Sequence, residues 1–140
     1  MSTTPNVDVD LAVDLRLVVP DAEAVPMPVA LRYCANDPYA VTVAFRGDDL
    51  SVEWVFARDL LLAGLSGPAG KGDVHISPTT RSGGNDAVSI WLSSPDGQAV
   101  LEADRVDLAA FLDRTTDLVP AGHEDEFIDL DAEIATLLIG

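Results

Sequence analysis

The sequence predicts an α+β fold: a mainly antiparallel β-sheet of about seven strands with two to three helices, in the order ββββα-βββαα. Three observations predict it. Apolar and polar residues alternate at period two over several stretches, the pattern of strands with one buried face. Short turn signals such as Asn36-Asp37-Pro38 and Ser94-Pro95-Asp96-Gly97 join those stretches, which favours hairpins over crossovers. Helical spacing appears only after Asp59, over residues 105–117 and in the tail.

The first strand is the clearest. In VDVDLAVDLRLVV (7–19), Val7, Val9, Leu11, Val13, Leu15, Leu17 and Val19 share one face, and Asp8, Asp10, Asp14 and Arg16 share the other. The carboxylates make a solvated face that discourages edge-to-edge pairing. Pro20, Pro26 and Pro28 bracket a loop, after which Val29, Leu31 and Tyr33 alternate. Past the Asp37-Pro38 turn, Tyr39, Val41, Val43 and Phe45 point one way, and Ala40, Thr42 and Ala44 the other. Gly47-Asp48-Asp49 then turns the chain into Val52-Glu53-Trp54-Val55-Phe56, closing a four-strand meander with Trp54 and Phe56 in the core.

In WVFARDLLLAGL (54–65) the strand becomes a helix at Arg58-Asp59. A carboxylate can accept the free N–H groups of a first helical turn, so Asp59 is the expected N-cap and Arg58 its local ion partner. Leu60, Leu61 and Leu65 follow at helical spacing, and Gly64, Gly67 and Pro68 end the helix. The stretch from Gly67 to Gly72 reads as a flexible connector. It lacks the spacing of a phosphate-binding loop, and a strand follows where such a loop feeds a helix. Val74 and Ile76 then alternate with Asp73 and His75, and residues 78–86 read as a polar loop. Val88, Ile90 and Leu92 form the next strand, with Trp91 on its opposite face as a candidate partner or oligomer contact. After the Pro95-Asp96-Gly97 turn, Ala99, Leu101 and Ala103 continue the sheet. Leu108, Phe111 and Leu112 stripe an amphipathic helix over 105–117. Asp129 or Asp131 is expected to cap a last helix carrying Leu130, Ile134, Leu137 and Leu138. The 140 residues make one domain, with 1–6 a flexible N-terminus and 121–140 an acidic tail with that helix.

Charge narrows the function. There are 24 acidic and 8 basic residues, a net charge of −16, and the basic residues are scattered singly. Binding a nucleic-acid backbone or an anionic lipid surface relies on clustered Lys and Arg, so neither partner is expected. The single cysteine, Cys34, allows no internal disulfide, and MSTTPN has no charged start or apolar run of a signal peptide. The expected location is the cytoplasm, without direct membrane insertion. His75 and His123 stand without a second ligand at metal spacing, and Cys34 has no recognisable base. No catalytic set, metal site or cofactor site is assembled by the sequence, so no enzyme is expected.

Several short stretches carry a resemblance when taken in order: DPYAV (37–41), VEWVFARDLL (52–61), GDV (72–74), SSPDG (93–97), FL-RT (111–115), VP-G (119–122) and DLD (129–131). Together they resemble the SsgA-like proteins of actinomycetes, nearest the SsgB branch. The densest signature residues are Asp37, Pro38, Tyr39, Trp54, Phe56, Arg58, Asp59, Leu60 and Leu61. The resemblance implies a non-enzymatic protein of sporulation-specific cell division that marks septum sites and recruits the division GTPase FtsZ, with an SsgA-type protein as co-partner. It also implies a Whirly-type fold and a closed homo-oligomer, with a trimer the leading count. Arg58 is then either a structural hinge or a partner contact. Two alternatives stand beside this reading: a Whirly-like single-strand nucleic-acid binder, disfavoured by the charge, and an enzyme with an unrecognised acidic site.

Overall fold

The computed structural model describes residues 7–46, 51–80, 86–95 and 97–127. The expected tail helix, residues 1–6 and most of the loop expected over 78–86 lie outside them. Strands β1 (Val9–Leu17), β2 (Val25–Tyr33), β3 (Ala40–Arg46) and β4 (Ser51–Ala57) precede helix α1 (Arg58–Ser66). Strands β5 (Ala69–Lys71), β6 (Val74–Thr80), β7 (Asp86–Ser94) and β8 (Gly97–Asp104) precede helix α2 (Arg105–Leu118). A short 3-10 turn, Glu124–Phe127, closes the described chain. The strands form one sheet in the order β4-β3-β2-β1-β8-β7-β6-β5, with every neighbouring pair antiparallel. It curls into a half-barrel.

The order ββββα therefore occurs twice. Among the described residues the two meanders pair along a short β1–β8 seam, where Arg16 faces Glu102 and Leu17 faces Leu101. Arg16 Nη2 ties that seam, lying 3.2 Å from Asp104 Oδ1 and 3.6 Å from Glu102 Oε1. The Val18 N–H extends it by donating to the Val100 carbonyl at 2.9 Å.

Period-two alternation places the core as expected. Val9, Val13 and Leu15 of β1 are buried, while Asp10 and Asp14 are exposed. Val29, Leu31 and Tyr33 of β2, Val41 and Val43 of β3, and Val88, Ile90 and Leu92 of β7 lie on the same buried face. Both helices cover that face, α1 through Leu61 and Leu65 and α2 through Leu108, Phe111 and Leu112.

Three local expectations are corrected. The connector 67–72 contains the eighth strand, β5, whose Ala69 pairs with Ile76 and whose Lys71 pairs with Val74. Three residues are too short to show alternation. β5 exists because β6 offers an open edge, and Gly72 takes the left-handed backbone (φ 61) that the tight turn between them demands. Pro26 and Pro28 lie inside β2 rather than in a loop. They fall where β2 pairs with β1 alone, since β3 reaches only Val29–Arg32. A proline's missing N–H costs no hydrogen bond where it faces away from the ladder. The β6–β7 hairpin also takes up both ends of the expected 78–86 loop, pairing Thr80 with Asp86.

Candidate functional site

The join between β4 and α1 holds the largest buried side chain in the described protein, Arg58, at 0% exposure. A charge taken that far from water is tolerated only with partners. Arg58 Nη1 donates to the carbonyls of Thr115 at 3.1 Å and Val119 at 2.8 Å. Both carbonyls lie at the end of α2, where the Thr115 carbonyl also accepts the Val119 N–H. A helix leaves its last carbonyls without intrahelical partners, and a cation there also meets the negative end of the helix dipole. α2 has no basic residue in its own last turn, so Arg58 supplies the cation from another element. Arg58 Nη2 lies 3.7 Å from Glu124 Oε2, and both side chains are buried. The guanidinium carbon sits 5.1 Å from the centroid of the Tyr33 ring, in cation–π range.

The backbone is tied at the same point. The Arg58 N–H donates to the Tyr39 carbonyl at 2.7 Å, and the buried Tyr33 hydroxyl donates to the Pro38 carbonyl at 2.9 Å. The Asp37-Pro38-Tyr39 turn, through the Arg58 N–H, and the end of α2 and the turn at Glu124, through its guanidinium, thus converge on one residue. Burial raises the cost of ionising Glu124. Hydrogen bonds from its own N–H and that of Gly122, with the Arg58 charge, outweigh this and hold its carboxyl below the usual range.

Tyr33 makes the junction sensitive to alkali. Burial pushes its hydroxyl up to about 12, and the opposing pull of Arg58 is smaller. In the unfolded chain this hydroxyl ionises at its ordinary value of 10.0. The stabilisation is therefore whole below pH 10 and is lost as the pH rises from there through the folded value. Wild-type protein is expected to lose about 2 kcal/mol more than Tyr33→Phe across that window. Denaturant titrations at pH 9 and 12 measure the difference, and equal losses in both proteins would remove Tyr33 as the cause.

The expectation for Asp59 is corrected. The N-cap of α1 is Ala57, with extended backbone and no side-chain cap bond, and Asp59 is exposed in the first turn. The cap is replaced by the tertiary bond from the Arg58 N–H to Tyr39. Nor does Asp59 partner Arg58, because adjacent residues on a helix do not face each other and Arg58 points inward to Glu124. Among the other signature residues, Pro38, Phe56 and Leu61 are buried, and Trp54 and Leu60 pack against the core. Asp37 is exposed, and Tyr39 is exposed although its carbonyl is used. Reading the sequence missed Tyr33, Thr115, Val119 and Glu124. One signal was available: α2 ends without a basic residue, which leaves its C-terminal end open to a cation from elsewhere.

Trp91 is placed apart from this junction, on the sheet face turned away from the helices, with 36% of its surface exposed. Its ring lies 5.2 Å from that of His75, its cross-strand partner on β6. His75 faces Gly70 on β5, and Trp91 faces Val100 on β8. A Cβ on Gly70 would collide with the imidazole, so the glycine makes room for the ring. Gly70, His75, Trp91 and Val100 form one row across four strands with no carboxylate in it. Elsewhere this outer face carries Asp10, Asp14, Glu53 and Glu102. Arg16 and Arg32, also there, are paired to carboxylates.

An open cleft of about 540 Å³ lies between β1 and the start of α2, lined by Asp14, Arg16, Asp104 and Asp107 among others. Its arginine is engaged by Asp104 and Glu102. Among the described residues, no group of three or more His, Cys, Asp or Glu is placed to hold a metal ion. No described helix is long and apolar enough to cross a membrane.

The profile of the family described as "Streptomyces sporulation and cell division protein, SsgA" matches residues 27–124. The chain belongs to the SsgA family. It is 52% identical over 132 residues to the sporulation-specific cell division protein SsgB of Kineococcus radiotolerans, covering 94% of this chain and 80% of that one. It is 48% identical over 134 residues to SsgB of Streptomyces coelicolor, covering 95% and 97%. The crystal structure of an SsgA-like sporulation-specific cell division protein from Thermobifida fusca superposes with a TM-score of 0.83 at 47% identity, covering 97% and 98%. The antiparallel sheet with two helices is thus the SsgA-like fold. These relatives support a cell-division role, in a family of division proteins rather than of enzymes. The SsgA profile spans Pro38, Tyr39, Arg58, Thr115, Val119 and Glu124, so the whole Arg58 junction lies inside the family's domain.

Proposed function

We propose that this protein is a sporulation-specific cell-division factor that marks septum sites and recruits FtsZ, promoting its assembly as a non-enzymatic, oligomeric cytoplasmic scaffold together with an SsgA-type protein. The observation that carries the reading is near-full-length identity of about half with sporulation-specific cell-division proteins. The charge sets the physics of the contact. This chain carries −16 and FtsZ is expected to be acidic, so the two meet through an uncharged patch. The Gly70–His75–Trp91–Val100 row is such a patch on the outer face, and an exposed tryptophan is the residue type that most often dominates binding energy. A nucleic-acid role finds no support on this face among the described residues, where Arg16 and Arg32 are spent on neighbouring carboxylates.

The test is binding of purified FtsZ at graded salt, with light scattering for oligomeric state, a trimer being the expected assembly. Affinity is expected to hold or rise with salt, because salt screens like-charge repulsion. Trp91→Ala is expected to weaken it about tenfold or more while the melting temperature stays near wild type. A steep loss of affinity with salt, or full affinity in Trp91→Ala, would count against this contact.

A further inference from the structure

The turn after α2 is fastened to the domain by one described side chain. From Pro120 to Glu126 every side chain is exposed except Glu124, which is 4% exposed. The turn is tied to itself. The His123 N–H donates to the Pro120 carbonyl at 3.0 Å and the Glu126 N–H to the His123 carbonyl at 3.1 Å. The Gly122 N–H donates to Glu124 Oε1, and His123 Nδ1 lies 2.7 Å from Glu126 Oε2. It is a small self-braced unit with Glu124 as its peg.

The receiving side is divided in two. Arg58 Nη1 is fully used on the Thr115 and Val119 carbonyls. Nε and Nη2 make no hydrogen bond among the described residues. Glu124 Oε2, at 3.7 Å from Nη2, is held by charge but lies beyond hydrogen-bond length. The edge formed by Nε and Nη2 is one that a carboxylate can grip with two parallel bonds, and Glu124 does not take that grip.

From this geometry we propose that the turn 120–127 is a latch, closed by the Glu124–Arg58 contact and able to swing off as a unit while α2 and the sheet stay in place. Opening costs the domain no helix end, because Arg58 keeps both of its carbonyl partners. It uncovers the Nε–Nη2 edge of Arg58 beside the Tyr33 ring.

Backbone order parameters from NMR on the full chain test this. In wild type, residues 121–126 are expected near the rigid value of about 0.85. In Glu124→Gln they are expected to fall below about 0.6, while α2 and the strands keep the rigid value. Unchanged values in the turn, or an equal fall in α2, would overturn the proposal, the second by showing that the contact holds the whole domain. If Glu124→Gln does not fold, Glu124→Asp serves. It keeps the charge but draws the carboxylate back by one methylene, and an intermediate fall confined to the turn is expected. No fall in Glu124→Asp overturns the latch.

Discussion

Arg58→Ala is expected to destabilise the fold by about 3–5 kcal/mol, the scale for removing one partner of a buried ion pair. Three losses coincide. The Glu124 carboxylate stays buried without its cation, the Val119 carbonyl loses its side-chain donor and the Thr115 carbonyl keeps only the Val119 N–H, and Tyr33 loses the cation over its ring. Arg58→Lys is expected to recover little of this. An ammonium is a point donor on a flexible stem and does not serve two carbonyls and a carboxylate in the places the planar guanidinium reaches. Equilibrium urea unfolding measures the effect. In a double-mutant cycle, Arg58→Ala with Glu124→Ala is expected to cost less than the sum of the two changes, because the stranded carboxylate is gone. A single Arg58→Ala variant within about 1 kcal/mol of wild type would show that the junction does not hold the domain together. The same variant bears on the proposed FtsZ recruitment. At 0% exposure Arg58 offers no side-chain surface to a partner in this structure, so recruitment should fall only as the folded fraction falls.

Gly64→Val is expected to cost about 3 kcal/mol, at the upper end of what overpacking does. α1 lies on β6 with no side chain between Gly64 and Ile76. A Cβ built at Gly64 overlaps Cγ2 of Ile76, comes within 2.6 Å of its Cβ and 3.3 Å of its carbonyl oxygen. The Ile76 Cβ is anchored to a paired strand and cannot move aside as the tip of a long side chain would. Replacing glycine by valine gains only about 0.4 kcal/mol of helix propensity, which is too little to offset the overlap. The overlap is the cause if Ile76→Ala in the same chain restores part of the loss, as thermal or urea melts of the four proteins of the cycle would show. Gly64→Val alone melting at the wild-type temperature would mean that α1 lifts from the sheet without penalty.

The candidate contact was legible in part. Trp91 alternates away from Val88, Ile90 and Leu92 in the sequence, and the structure places it on the outer face. Its row partners were hidden, because the registers that set His75 beside Trp91 and Gly70 beside His75 are decided when β5, β6 and β7 pair. Asp59 shows the opposite failure. An acid at the start of a helix is a sound local signal for a cap, yet a tertiary bond to the Tyr39 carbonyl had already satisfied the first N–H. Propensity lost to a contact made across the fold.

The amino-acid sequence by itself determined seven of the eight described strands, which of their faces is buried and where both described helices lie. Those choices rest on neighbours one to four residues apart: period two for the strands, and the Leu108, Phe111 and Leu112 stripe for α2. It also determined the net charge of −16. Only the tertiary structure decided what Arg58 is for. Read locally, it sits beside Asp59 and looks like half of a surface pair. In the fold its side chain turns inward, caps the end of α2 and holds Glu124. A buried charge takes its partners from whatever the folded chain brings within a few ångströms, and separation along the sequence does not enter that energy.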